Sequence, residues 1–415
     1  MGLLEKFNEK MAKSKVAGAN NEAEFDIAYS TGFLAIDFLN GCTVHVDSKE
    51  RNFSYTSAGI VDGTCNTIIG RSGSGKSSLL MQICGNIIRP FAEKNMPVML
   101  CIDDLENSLP QVRKEFLLGL DQDQLDKYVD MRNTGITTEN LFDRIKTIHD
   151  LKIQNKKEYT YDTGCFDTYG NRIFKYIPTV YVVDSLPLLM PEDLSNDTEL
   201  GGGMDSSSMA KQNTMLFKKI AQLCKEANII FFTINHILEE INMGFIPKAA
   251  QISGLKQGER LPGGRAALYL ANNMFRVDDT NTLKESDGYG INGSIIQLTI
   301  IKSRTNCTKR SVPLIFNKTE GRFDEILSLF HLLKQEGCFS GAGAYLYLED
   351  CPDIKFGMKN FKEIFMSNPD VQKAFAKEVK NILSTYLADT RRMSSDNSSI
   401  LSNLNSMVYG LSDNN

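Results

Sequence analysis

Short apolar runs alternate with stretches of helical periodicity from Ser30 to about Phe323. The runs 64–69, 97–102, 179–183, 229–234, 296–301 and 312–316 have the length and apolar character of buried strands. Between the first four lie 77–88, 138–149 and 210–227, where apolar residues recur at helical spacing. Strands alternating with helices predict an α/β fold with a mostly parallel central sheet, covered on both faces. The Tyr- and Thr-rich segment 156–176 interrupts the pattern and reads as an inserted β-hairpin with a long loop. Before the core, Leu3, Leu4, Phe7 and Met11 fall at helical spacing within 3–16, and 18–24 reads as a polar linker. After it come a helix at 325–335, a small mixed region and a helix at 371–387; from about 390 the chain turns Ser/Asn-rich and reads as disordered. The expected organisation is an arm at 1–29, a core at 30–323, a small C-terminal domain at 324–389 and a tail at 390–415.

Composition narrows the setting. At 415 residues, 42% apolar and 23% charged, the chain suits a large globular core with appendages. No apolar run reaches the length of a membrane span. The N-terminus lacks the features of a signal peptide, and Lys6 and Phe7 stand where a myristoylation motif wants Ser or Thr. Nine scattered Cys without a CxxC pair read as reduced thiols in a cytoplasm, and with four His they offer no zinc-ligand spacing. A net charge of −5 weighs against a nucleic-acid partner without excluding one, because basic loops can make phosphate contacts on an otherwise acidic protein.

The sharpest chemical signal is Gly70-Arg71-Ser72-Gly73-Ser74-Gly75-Lys76-Ser77, a full GxxxxGK[ST] motif placed after an expected strand and before an expected helix. Its glycines let backbone amides turn inward around phosphates, and the helix N-terminus adds positive potential. Lys76 would neutralise the β- and γ-phosphates of ATP, Ser77 would bind Mg²⁺, and Ser78 completes the phosphate-binding set. A P-loop also needs a carboxylate at a neighbouring strand end; Asp184, closing Val180-Tyr181-Val182-Val183, supplies it as a second metal-site residue. Asp103, Asp104 and Glu106 follow another buried strand; we favour Glu106 as the base that activates water, with Asp104 as the alternative.

On these residues and several others the chain resembles the RecA family, and within it the bacteriophage recombinases of the T4 type. Ser30-Thr31-Gly32-Phe33-Leu34-Ala35-Ile36-Asp37 is similar to the family's lead-in, and Val182-Val183-Asp184-Ser185 to its Walker B strand. Ile234-Asn235-His236 resembles the strand end through which the family couples the γ-phosphate to a DNA-binding loop. Pro262-Gly263-Gly264-Arg265-Ala266-Ala267-Leu268 resembles the closure of that loop, and Ile301-Lys302-Ser303-Arg304-Thr305 the phage branch's basic pair that reaches a neighbour's ATP. The resemblance implies a RecA-like P-loop core, a DNA-dependent ATPase, and catalytic roles for Lys76, Glu106, His236, Lys302 and Arg304. Its departures are a base three residues after Asp103 instead of two, a longer 42–57, and the extra hairpin at 156–176.

The segment 238–261 carries Lys248, Lys256 and Arg260 with Phe245 and Ile246; cations with apolar wedges suit single-stranded DNA, and Arg265 joins the DNA-binding set. The segment 191–208 matches the family's other DNA loop by position, but its five acids argue against heavy phosphate contact. Phe25-Asp26-Ile27-Ala28 is similar to a docking element that some recombinases insert into the next subunit. The expected function is an ATP-dependent recombinase that polymerises on single-stranded DNA, pairs it with duplex DNA and exchanges strands. The resemblance adds phage mediator and single-strand-binding proteins as partners. A hexameric RecA-fold helicase and a RecA-like scaffold or regulatory ATPase remain as alternatives.

Overall fold

A computed structural model describes residues 27–167, 169–192, 206–239, 254–262, 270–287, 290–342 and 345–389. The expected helix at 3–16, the linker at 18–24 and the tail from 390 lie outside them, as do 193–205 of the second loop. The central sheet has nine strands. In chain order they are β1 (Cys65–Gly70), β2 (Met99–Asp104), β3 (Val129–Arg132), β4 (Thr179–Asp184), β5 (Ile229–His236), β6 (Asn273–Leu283), β7 (Gly293–Lys302), β8 (Ser311–Asn317) and β9 (Arg322–Asp324). Their spatial order is β9-β8-β7-β6-β1-β5-β4-β2-β3. The run from β6 to β3 is parallel throughout, and β7, β8 and β9 extend it antiparallel.

Strand alternation builds two apolar layers. Val180, Val182, Ile230, Phe232 and Ile234 face one layer, while Tyr181, Val183, Ile229 and Phe231 face the other. Helix α1 (Lys76–Ala92) fills the first layer with Leu79, Leu80, Ile83 and Ile87. Helices α2 (Gln111–Leu118) and α3 (Gln122–Tyr128) follow β2. Gly85 admits the Leu118 carbonyl, where a Cβ would overlap it, so α1 and α2 pack closely. Helices α4 (Thr138–Gln154) and α5 (Ser206–Ala227) cover the opposite face through Leu141, Ile145, Phe217 and Ile220. After β9, Asp324 caps helix α6 (Glu325–Gln335) by accepting from Leu327 N at 3.0 Å. Helices α7 (Phe361–Ser367) and α8 (Pro369–Ser384) join it in an aromatic cluster where Phe330 stacks on Phe361 at 4.4 Å.

All six strands expected from the apolar runs are present; β3, β6 and β9 are additions. Strand β6 escaped the apolar pattern because two of its inward positions are polar. Asn273 donates to Asn66 Oδ1, and buried Arg276 is held by Glu259 and Asp278 at 2.6 Å each. The segment 42–57 is a hairpin, Cys42–Asp47 against Asn52–Ser57, and Ala388–Asp389 pairs with its first strand. The segment 156–176 begins with one helical turn, Lys156–Tyr159, before its hairpin of Thr160–Phe166 and Arg172–Tyr176.

Candidate nucleotide site

The site lies at the carboxyl ends of the adjacent strands β1, β5, β4 and β2, where an open α/β sheet exposes loop groups to a ligand. Gly73 and Gly75 take φ of 77° and 85°, the left-handed region that glycine enters without strain. Space is open where a Cβ on Gly73 would stand, so that loop face is free for close backbone approach. Lys76 Nζ donates to the Arg71 carbonyl at 2.7 Å. Burial pushes its amine below the usual lysine range, while the Asp184 and Glu106 carboxylates oppose that shift.

Ser77 Oγ donates to Asp184 Oδ2 at 2.6 Å, bringing the two sequence-expected metal-site residues together. Burial pushes the Asp184 carboxyl up to about 6; the Ser77 hydrogen bond and His236 oppose this, and Asp104 and Glu106 add to it. Asp184 Oδ1 and Ser74 Oγ are buried without a hydrogen-bond partner among the described residues. A hydroxyl beside a carboxylate with an unused oxygen is an all-oxygen set that fits a hard dication such as Mg²⁺, whose charge would relieve that carboxylate's desolvation.

The Asp184 carbonyl accepts from both Leu105 N at 2.6 Å and Glu106 N at 3.1 Å. Glu106 is thus hung on the residue whose side chain meets Ser77, and its Oε2 lies 2.9 Å from Nε2 of His236. The two rival acids differ in access. The Asp104 side chain is only 2% exposed and lies 2.5 Å from Lys114 Nζ, whereas Glu106 is 30% exposed. Asp103 is buried under the site, bonded to Arg144 at 3.0 Å and to the Tyr181 hydroxyl.

His236 ends β5 opposite Gly70, and the chain then enters the segment expected to bind DNA. Leu238–Glu239 and Glu259–Arg260 pair as an antiparallel ribbon at the base of that segment. Asn235 Nδ2 donates to the Pro262 carbonyl at 3.0 Å, and Arg71 reaches Glu239 at 2.8 Å. Lys256 and Arg260 are exposed at this base; Lys248 and Arg265 lie outside the described residues. Strand β7 ends at Lys302, and Ser303 opens a turn by accepting from Thr305 N and Asn306 N. Arg304 is therefore exposed beyond the strand, and strand alternation does not place it beside Lys302. Burial pushes the half-buried Lys302 amine down to about 8, and Arg304 adds to that shift. Because β7 runs against the parallel strands, Lys302 sits near the end of the sheet where those strands begin, whereas the P-loop follows their carboxyl ends.

Sequence reasoning missed Lys114 and the Arg71 contacts. A lysine ten residues after its partner on a short amphipathic helix carries no sequence signal of burial. Arg71 did stand inside the motif, where only its backbone had an expected role.

No family model matches the chain. It is 22% identical to Protein RecA of Aquifex pyrophilus over 390 residues, covering 93% of this chain and 96% of that protein. Protein RecA of Clostridium tetani is 22% identical over 377 residues, covering 89% and 86%. Protein RecA of Pseudomonas savastanoi pv. phaseolicola is 25% identical over 221 residues, covering 52% and 56%. Similarity over most of the chain, together with the mostly parallel sheet, makes the core RecA-like.

Proposed function

We propose that this RecA-like chain is a DNA-dependent ATPase and recombinase that assembles head to tail on single-stranded DNA, pairs it with homologous duplex and exchanges strands. The observation that carries this reading is the 2.9 Å contact between Glu106 and His236. It joins the acid best placed to activate water to the strand end that leads into the basic segment. In a P-loop ATPase without that link, DNA would have no direct route to the hydrolytic group.

The chain's residues divide the work as follows. The amides of 70–75 and the Lys76 ammonium hold the triphosphate, with Arg71, Ser72, Ser74 and Ser78 completing the cradle. Ser77 and Asp184 would hold Mg²⁺, which would neutralise charge on the β- and γ-phosphates. Glu106 orients water for in-line attack on the γ-phosphorus and takes its proton. His236 holds Glu106, so a shift of the β5 end when DNA occupies 238–265 alters the acid's aim. Lys248, Lys256, Arg260 and Arg265 contact phosphates there. Lys302 and Arg304, at the other end of the sheet from their own P-loop, approach the triphosphate of the adjoining subunit, a heterologous arrangement that builds an open helix. The Asn235-His236 and Lys302-Ser303-Arg304-Thr305 sequences favour the T4-type phage branch, acting in a host cytoplasm with mediator and single-strand-binding proteins.

Negative-stain images of the chain with single-stranded DNA and a non-hydrolysable ATP analogue test the assembly. Filaments of continuous pitch are expected; closed six-membered rings would instead favour a helicase.

A further inference from the structure

The site contains a second carboxylate that the ATPase reading leaves without a task. Asp104 is the last residue of β2 and pairs with Asp184 across the sheet. Oδ1 accepts from Asn107 N at 2.8 Å. Oδ2 makes no hydrogen bond among the described residues but is ion-paired with Lys114, 2.5 Å from its Nζ. Lys114 is itself buried, its side chain 10% exposed, on a helix whose far end packs against the P-loop helix. A buried carboxylate paired with a buried ammonium is poorly placed to take a proton from water.

What the pair does is fix the segment carrying Glu106. Leu105 N and Glu106 N, just past the end of β2, share the Asp184 carbonyl, so the chain turns where the strand stops. The strand-end acid is Asp104, not Asp103, and Glu106 stands two residues after it. A turn at a strand end wanders unless it is anchored. Here Asn107 closes the turn at φ 52°, a left-handed conformation that asparagine tolerates, and its amide is bound by Asp104. Lys114 then ties Asp104 to α2. Glu106 is the only residue of this turn that reaches His236 among the described contacts.

We infer that Asp104 and Lys114 form a buried positioning pair that sets the turn at 104–107 and thereby aims the Glu106 carboxylate. This rests on Glu106 being the hydrolytic acid. The pair acts through Glu106, without contact to nucleotide.

The test measures ATP hydrolysis with single-stranded DNA, analogue affinity and thermal midpoint for full-length Asp104→Asn, Lys114→Met, Lys114→Arg and Asp104→Asn/Lys114→Met. Asp104→Asn and Lys114→Met should each lower kcat about tenfold, with KM and analogue affinity within about twofold of wild type. The double variant, lacking an unpaired buried charge, should be no slower than either single. Lys114→Arg should recover most of the rate, and it carries the comparison with Lys114→Met should Asp104→Asn fail to fold. In a Glu106→Asp background, where the acid is already displaced, Asp104→Asn should cost no more than about twofold; a merely structural role would multiply the losses. If Asp104→Asn stops turnover as fully as Glu106→Gln while Lys114→Met is unimpaired, Asp104 is itself the acid and the inference is wrong, with the ATPase reading intact. Wild-type kcat in both single variants also overturns it. Failure of the wild-type chain to hydrolyse ATP would overturn the reading beneath.

Discussion

Replacing Glu106 by Gln and by Ala separates two tasks that the proposed function gives to one side chain. Both changes remove the carboxylate proposed to take the water proton, a contribution on the order of 10²–10⁴ in rate, or roughly 3–5 kcal/mol. They differ at His236, 2.9 Å away. Glutamine keeps a neutral hydrogen-bond partner for the imidazole, so only the difference between a charge-assisted and a neutral bond is lost, about 1 kcal/mol. Alanine removes the partner altogether. Glu106→Gln should therefore bind ATP with near wild-type affinity, hydrolyse it at least a hundredfold more slowly, and still tighten on single-stranded DNA when nucleotide is present. Glu106→Ala should be equally slow but lose most of that nucleotide-dependent tightening. Phosphate release gives the first comparison, and fluorescence anisotropy of labelled DNA with and without a non-hydrolysable analogue gives the second. Hydrolysis by Glu106→Gln within a few fold of wild type would refute the assignment of the acid. Equal DNA tightening in both variants would refute His236 as the link.

Three further outcomes follow from other parts of the molecule. Neutralising Lys248, Lys256 and Arg260 together should weaken single-stranded DNA binding and reduce the slope of log K against log salt by up to about 2, at ~0.7 per lost phosphate contact; an unchanged slope places the DNA elsewhere. Lys302 loses its proton as pH rises through about 8, so DNA-stimulated hydrolysis that needs its charge should decline from pH 7 to 9, and Lys302→Arg should flatten that decline. Lys152 is buried and donates to the carbonyls of Ile177, Ala227 and Asn228, the last of which also accepts from Thr179 N, so Lys152→Met should strand the other two and lower the thermal midpoint by several degrees, measured by calorimetry.

The sheet was legible where burial is apolar and the site where a motif carries its own mechanism. Residues 64–77 announced strand, loop and helix together, because glycine, lysine and serine are each required by phosphate geometry. Asp184 was legible for the same reason, as the polar end of a fully buried strand. Strand β6 was not, since Asn273 and Arg276 satisfy their polarity through partners distant in sequence, which no local periodicity reveals. The hairpin at 42–57 was noticed only as surplus length; its residues alternate weakly because most of Asn52–Ser57 is exposed. The sequence favoured Glu106 over Asp104 without showing how the two differ, since both are acids after one strand. Their difference in access comes from Lys114, whose approach to Asp104 is a fact of packing between β2 and α2.

Strand exchange is the measurement that bears most directly on the central claim. The chain is incubated with circular single-stranded DNA, homologous linear duplex, ATP and Mg²⁺, alongside a Lys76→Ala control and a heterologous duplex. Joint molecules and exchanged product are expected with the homologous duplex alone, and none with Lys76→Ala, whose missing ammonium leaves the β- and γ-phosphates unheld. ATP hydrolysis and DNA binding without any homology-dependent product would contradict the recombinase reading and leave a RecA-like ATPase of another kind.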